Sequence, residues 1–208
     1  MNENYNIFIN KKILIYGLGT SGVSAFKFLW KYNDISLFDD DKRIKLKNIT
    51  RNKFISIKKI KKFKFDVIIL SPGINKNRCK LKNFLKKNSK IIYTDLDVFF
   101  SFYKNQCITI TGTNGKSTTC QLLYEVLKKH RLNVKLAGNI GYPILSIKEI
   151  KKKSIFVIEA SSYQLDYSQL FTSKYAAILN ISPDHLERHK TLRNYTSVKF
   201  KLIKNQKN

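Results

Sequence analysis

Cysteine, proline and tryptophan are scarce in this 208-residue sequence, at three, three and one residues. Cys79, Cys107 and Cys120 are odd in number, widely spaced and never arranged as CxxC. A disulfide framework and a zinc site built on paired thiolates are thereby excluded, leaving reduced, mostly buried thiols. No stretch approaches the ~18 to 20 uninterrupted apolar residues that a membrane-spanning helix requires. The opening "MNENYNIFINKK" lacks the basic-then-apolar layout of a secretory leader, so a cytoplasmic location with no membrane partner is expected.

Acidic residues are also few, 14 against 40 basic ones, for a formal charge of +26. A clustered basic face would mark a surface that binds phosphate backbones. Only six of these cations are arginine, however: Arg43, Arg51, Arg78, Arg131, Arg188 and Arg193. The rest are lysines, spread along the chain beside abundant Asn and Ile. Lys, Asn and Ile share A/T-rich codons, whereas base readout and stacking favour Arg. Compositional drift explains the charge, and no specific nucleic-acid partner is expected. The runs "KNITRNKFISIKKIKKFKF" and "IKKKS" read as solvated faces with aliphatic stems.

What the sequence does have is alternation. Apolar β-branched runs follow amphipathic helical stretches from end to end, the pattern of parallel sheets wrapped by helices, so the fold class is α/β. "KILIY", "ISLFD", "KFISI", "FDVIIL" and "KIIYT" read as strands of a first series, with "SGVSAFKFLWKY", "NRCKLKNFLKKN" and "DLDVFFSFYK" as helices. The pattern then restarts with strand "CITIT", helix "STTCQLLYEVLKKH", strands "NVKLA", "SIFVIEA" and "YAAILN", and helix "LRNYTSVKFKLIK". The expected domains are residues 1–104 and 105–208.

Between "CITIT" and its helix lies "TGTNGKST", the compact form GxxGKS of a phosphate-binding loop; Ile110 stands where the longer pattern has a glycine. Gly112 and Gly115 flank a turn whose amides, with those of Thr113 and Asn114, can approach an anion closely. Lys116 can reach the outer phosphates, and the Ser117 or Thr118 hydroxyl can ligate Mg²⁺. The helix from Ser117 adds its positive end, and Leu122, Leu123, Val126 and Leu127 have the spacing of its buried face. ATP is therefore the expected nucleotide. Glu159 caps the buried run "IFVIE", and an acid at the C-terminal end of a parallel strand faces the ligand crevice.

An earlier glycine pattern, Gly17, Gly19 and Gly22 in "YGLGTSGVSAFKFL", has dinucleotide-loop spacing, and Asp39 closes the next strand. By itself this suggests an NAD enzyme. The same loop would equally hold the pyrophosphate of a UDP-sugar.

Further motifs narrow the choice. "SPGI", "AGNIGYP", "VIEASSYQLD", "ILNISPDHLERH" and "NYTSVK" follow in the order shown by the Mur ligase family, which the chain resembles over nearly its whole length. "EASSYQL" and "SPGI" look most like the members that add D-glutamate to UDP-N-acetylmuramoyl-L-alanine in peptidoglycan biosynthesis. The resemblance implies a Rossmann-like UDP-sugar-binding domain followed by a P-loop NTPase-like central domain. It also implies ATP-driven amide formation through an acyl phosphate. On it, Lys116 stabilises the transferring phosphate, Ser117 and Glu159 hold one Mg²⁺, and His185 and Lys199 match a second Mg²⁺ site in which the lysine is carbamylated. Asn139 and Ser161 fall where the family contacts the muramoyl-alanine portion. Thr20 and Ser21 match the uridine-side loop, Asp39 the acid after the second strand, and Ser71 the loop after "VIIL". Asp41 fills the place of an arginine that often stacks on uracil, with Arg43 as a shifted substitute. His189 and His130 have weaker claims, His130 as a helix-terminal dipole partner.

The resemblance also implies a third, C-terminal domain; that domain and the tail of the central one are expected to lie outside these 208 residues. The expectation is little or no ligase activity from the chain by itself, with a second polypeptide as one possible supplier of that domain. Two rivals remain: a basic nucleic-acid-dependent NTPase and a non-catalytic UDP-sugar-binding remnant. Another amino-acid ligase of the same family is a further alternative.

Overall fold

The computed structural model describes residues 6–41, 43–44, 53–204 and 206. The chain divides into two compact units, Met1–Phe102 and Tyr103–Asn208.

The first unit is a four-stranded parallel sheet of β1 (Lys12–Tyr16), β2 (Asp34–Phe38), β3 (Val67–Leu70) and β4 (Ile92–Tyr93), in the order β2-β1-β3-β4. Continuous β-branched runs make β1 and β3 the buried centre, because helices cover both faces of a parallel sheet. Register aligns Ile15 with Leu37 on one side and Ile69 on the other. The helices are α1 (Thr20–Leu29), α2 (Ile57–Lys62), α3 (Lys82–Lys87) and α4 (Asp95–Phe102). Leu29, Leu96 and Phe99 add to the core.

Three elements differ from the sequence expectations. "KFISI" forms no strand: it makes a single bridge, Leu37 to Phe54, and then turns into α2. Ser56 explains the switch, since its hydroxyl accepts the Lys59 N–H and caps the helix while Ile60 is buried. The helix expected over "NRCKLKNFLKKN" shrinks to Lys82–Lys87. Ahead of it the Asn75 side chain takes the Asn77 N–H at 3.0 Å, a local turn that competes with helix. "KIIYT" keeps only Ile92–Tyr93 as strand because Ser89–Ile91 closes into a 3-10 turn. Residues 47–52 of the long basic run lie outside the described residues. Beyond them Lys58, Lys59, Lys61, Lys62 and Lys64 are exposed around the buried Ile60 and Phe65.

The second unit is another parallel sheet, β5 (Gln106–Thr111), β6 (Val134–Gly138), β7 (Ile155–Glu159) and β8 (Tyr175–Ile178), ordered β6-β7-β5-β8. Its helices are α5 (Lys116–Lys129), α6 (Ser162–Tyr167), α7 (Leu186–His189) and α8 (Leu192–Lys204). Placing β5 beside β7 aligns Ile110 with Glu159, which sets the end of β7 next to the turn that leaves β5.

The buried face of α5 differs from the expected one. Cys120, Leu123 and Leu127 pack with Ile110 and Val157, whereas Leu122 and Val126 are 61% and 53% exposed. The spacing of 120, 123 and 127 is equally helical; a small cysteine fits against the sheet where leucine was expected to point. Full burial of a Val or Leu side chain contributes on the order of 1.5–3 kcal/mol, as for Val157, and the partly buried Leu123 and Leu127 contribute less. Two short helices went unread. α6 opens on a capping box, Ser161 with Gln164, whose S-x-x-Q spacing is visible in "SSYQ".

Candidate active site

The chain leaves β5 at Thr111, turns through Gly112–Gly115 and enters α5 at Lys116, so the turn lies at the helix N-terminus. The Lys116 ammonium folds back and donates to the Thr113 carbonyl at 2.6 Å. Ser117, one residue into the helix, donates its hydroxyl to Glu159 Oε2 at 2.8 Å. The other carboxylate oxygen, Oε1, accepts from Asn139 Nδ2 at 2.9 Å. Glu159 is 1% exposed, and a charge so buried needs such donors. Asn139 is held in turn by its backbone, whose N–H donates to the Glu159 carbonyl at 2.9 Å. Gly138 permits that approach: its φ is +104°, and a Cβ there would lie 2.3 Å from the Glu159 carbonyl oxygen.

Lys199 reaches the same turn from α8. It is 1% exposed, donates to the Gly112 carbonyl at 2.7 Å and lies 3.5 Å from Thr111 Oγ1, with the Tyr195 ring beneath it at 4.5 Å. Burial, reinforced by the nearby Lys116 charge and opposed by Asp184, brings its ammonium down to about 8. A neutral amine is thus within reach near physiological pH.

His185 has a left-handed backbone, φ +54°, at the entry to α7. Its ring lies 3.4 Å from Asp184 Oδ2, 3.7 Å from Glu187 Oε1 and 4.8 Å from the Tyr163 ring centre, so it faces acids of its own segment. His189 is buried, shares a hydrogen bond with Ser162 Oγ at 3.0 Å, and is kept towards its neutral form chiefly by burial. His130 ends α5. Ser161 is occupied as the α6 cap, its hydroxyl accepting the Gln164 N–H at 3.2 Å. Asn114, Gly115 and Thr118 are exposed at the turn.

Sequence reasoning missed three groups. Asn180 holds the turn with its side chain at 2.9 Å from the Asn114 N. Ser182 donates its N–H to Thr113 Oγ1 at 3.0 Å, and the Tyr195 hydroxyl lies 3.2 Å from that same oxygen. All three lie inside motifs already singled out, but no spacing rule marks them.

Among the described residues no three His, Cys, Asp or Glu side chains gather as a metal cluster. The Ser117 hydroxyl and Glu159 carboxylate are nonetheless hard oxygens of the kind Mg²⁺ takes, and Mg²⁺ binds typically through one or two protein groups plus phosphates. An ammonium on Lys199 repels a cation; only a neutral or acylated nitrogen fits beside one.

In the first unit, Asp39 Oδ2 accepts the Leu18 N–H at 2.6 Å and Ser71 Oγ donates to the Gly17 carbonyl at 2.8 Å, so both residues brace the glycine loop. Gly22 is packed so closely that a Cβ would lie 1.8 Å from the Gly17 carbonyl oxygen. Ser21 and the exposed Thr20 open α1, whose N-cap Gly19 has no side chain to occupy the first amides. A cavity of about 500 Å³ borders Asp39, Asp41, Phe54 and Lys80. Arg43, 91% exposed, is committed to Asp41 through two contacts of 3.0 Å, which lower the Asp41 carboxyl to about 2.

Residues 110–208 match the Mur ligase middle domain. Over 202 residues the chain is 37% identical to the UDP-N-acetylmuramoylalanine--D-glutamate ligase of Rickettsia felis, covering 95% of this chain and 44% of that protein. The same-named protein of Rickettsia bellii is 39% identical over 202 residues, and that of Thermoanaerobacter sp. 36% over 207, at 44% and 45% of their lengths. The chain therefore spans less than half of these curated relatives. Among solved structures, UDP-N-acetylmuramate:L-alanyl-gamma-D-glutamyl-meso-diaminopimelate ligase from Neisseria meningitides superposes with a TM-score of 0.57 at 17% identity, covering 94% of this chain and 68% of that one. UDP-N-acetylmuramate-alanine ligase from Thermotoga maritima gives 0.51 at 21%, covering 93% and 47%. These two likenesses establish the fold, paired α/β units with parallel sheets.

Proposed function

Through its second unit the chain belongs to the Mur ligase family, and from that premise we propose that it carries the ATP-binding and carboxylate-activating part of a ligase joining D-glutamate to UDP-N-acetylmuramoyl-L-alanine in peptidoglycan biosynthesis. The observation that carries this reading is the Ser117–Glu159–Asn139 chain of hydrogen bonds beside the Lys116 turn. It places a hydroxyl and a buried carboxylate at the mouth of a turn suited to phosphates.

The reaction joins two anions before it joins an amine. A carboxylate oxygen of the muramoyl-alanine substrate attacks the γ-phosphorus of ATP, the bond to the β-phosphate oxygen breaks, and ADP departs. The amine of D-glutamate then attacks the acyl carbon, phosphate leaves, and the amine's proton passes to solvent. Lys116 meets the charge on the transferring phosphoryl group once it releases the Thr113 carbonyl. The turn amides and the α5 N-terminus hold the remaining phosphates. Mg²⁺, when bound between nucleotide and protein, neutralises phosphate charge; Ser117 and Glu159 are the residues to hold it. For a second ion, His185 and a carbamylated Lys199 are the proposed ligands, and the buried, pKa-lowered amine supports that modification.

The first unit is proposed to take the UDP moiety, with Thr20 and Ser21 at the α1 amides and with Asp39 and Ser71 holding the Gly17 loop open for a pyrophosphate. Asn139 and Ser161 are proposed toward the muramoyl-alanine portion. A step that consumes ATP suits the cytoplasm, and no helix among the described residues is long and apolar enough to cross a membrane.

A phosphate-release assay with UDP-N-acetylmuramoyl-L-alanine, D-glutamate and Mg-ATP tests the proposal. Turnover is expected when the remaining length of such a ligase is supplied, in the same or a second polypeptide, and little or none from these 208 residues alone. Replacing D-glutamate by other amino acids separates this reading from another specificity within the family. UDP binding without ATP binding would instead mark a UDP-sugar-binding remnant.

A further inference from the structure

We propose that Asn180 is a positioning residue that fastens the phosphate loop, and that it ties this loop to the segment carrying Asp184 and His185. The sheet ladder between β5 and β8 runs out at Thr111, paired with Ile178. Past the ladder, the Leu179 N–H still donates to the Thr111 carbonyl at 3.0 Å. Beyond it the loop turns away, and its amides need acceptors that no strand can offer.

Asn180 supplies them. Its own carbonyl accepts the Thr113 N–H at 3.1 Å, and its side-chain Oδ1 lies 3.2 Å from the same nitrogen. Oδ1 also accepts the Asn114 N–H at 2.9 Å, and Nδ2 donates back to the Asn114 carbonyl at 3.1 Å. A carboxamide is chemically a peptide group, so this side chain extends the ladder to Asn114, one residue past the last backbone bond to the loop. Two residues on, Ser182 and Thr113 exchange contacts: the Ser182 N–H donates to Thr113 Oγ1 at 3.0 Å, and that hydroxyl lies 3.2 Å from the Ser182 carbonyl. Two segments 66 to 69 residues apart in sequence are thereby registered against each other. Under the proposed function, the nucleotide's seat and the His185 segment form one unit, and a shift of either displaces the other.

The variants Asn180→Ala and Asn180→Asp test this by amide hydrogen exchange on the ligand-free chain and by Mg-ATP titration. Alanine removes acceptor and donor; aspartate keeps the acceptor but loses the donor and sets a negative charge beside the phosphates. In Asn180→Ala the Asn114 amide is expected to exchange about tenfold faster or more, whereas Thr113, which keeps the backbone carbonyl of residue 180 as its acceptor, and Val157 and Ile158 in β7 change little, as befits a local opening. Asn180→Asp is expected to keep that protection yet bind Mg-ATP about tenfold more weakly or worse. Unchanged protection in both variants, loss in both, or equal acceleration throughout β7 would overturn the fastening. The affinity arm alone rests on the proposed nucleotide. Asn180-dependent protection in a chain that binds no Mg-ATP supports the fastening and removes the nucleotide reading only. Normal Mg-ATP binding with Asn180→Ala unchanged in both readouts does the reverse.

Discussion

Ser117 Oγ donates to Glu159 Oε2 at 2.8 Å, joining the first turn of α5 to the last residue of β7. The two meet because β5 and β7 are neighbours in register, so the end of one strand lies beside the turn leaving the other. Replacing Glu159 by Gln keeps the size and one acceptor, for Asn139, and turns the bond to Ser117 into one that the serine hydroxyl accepts, but removes the charge. The expected result is at least about a tenfold loss of Mg²⁺-dependent ATP affinity with little change in metal-free nucleotide binding, read by titration with and without Mg²⁺.

Lys199 gives a pH dependence of known sign. Its ammonium is brought down to about 8 in the fold, by burial first and Lys116 next, against about 10.4 in an unfolded chain. Between these values the unfolded chain binds more protons, so this group's contribution to stability rises with pH; below about 8 both states are charged and the burial penalty is felt in full. Denaturant melts of the ligand-free chain and Lys199→Met from pH 7 to 10 are expected to show the difference moving in favour of the native lysine as pH rises. A constant difference would contradict the burial.

The thiols sort by depth. Burial pushes Cys107 up to about 12, and burial with the Glu159 charge does the same for Cys120. Cys79 is half-buried. A thiol reagent at pH 8 is expected to label Cys79 alone in the native chain and all three cysteines after unfolding. Rapid native labelling of Cys120 would mean that α5 does not pack on the sheet as described.

Gly22 is a test of the first unit. A methyl group there would meet the Gly17 carbonyl oxygen at 1.8 Å, whereas one at Gly73 would find nothing within 4 Å. Gly22→Ala is expected to destabilise the unit by about 2 kcal/mol or more, and Gly73→Ala by less than about 1 kcal/mol, in thermal or denaturant melts.

The parts legible in the sequence are those where one local rule decides. α8 runs Leu192–Lys204, as its periodicity indicates, and the β-branched runs give the central strands. GxxGKS places Lys116 and Ser117 at a helix N-terminus, and the strand-end acid Glu159 does meet Ser117. Where two rules compete, the reading slips: at "KFISI" a capping serine overrides β-branched residues, and on α5 two helical spacings share the same leucines. Asn180 was illegible for another reason. Its role comes from strand pairing between residues 66 positions apart, and a lone asparagine after a strand carries no mark of that.

The most direct measurement is calorimetric titration of ATP, with and without Mg²⁺, into the chain and its Lys116→Ala and Glu159→Gln variants. One Mg-ATP per chain is expected, with binding lost or weakened at least about a hundredfold in Lys116→Ala and its Mg²⁺ dependence abolished in Glu159→Gln. Absence of binding, or binding indifferent to both substitutions, would contradict the assignment of this turn to a nucleotide and of Ser117–Glu159 to its metal.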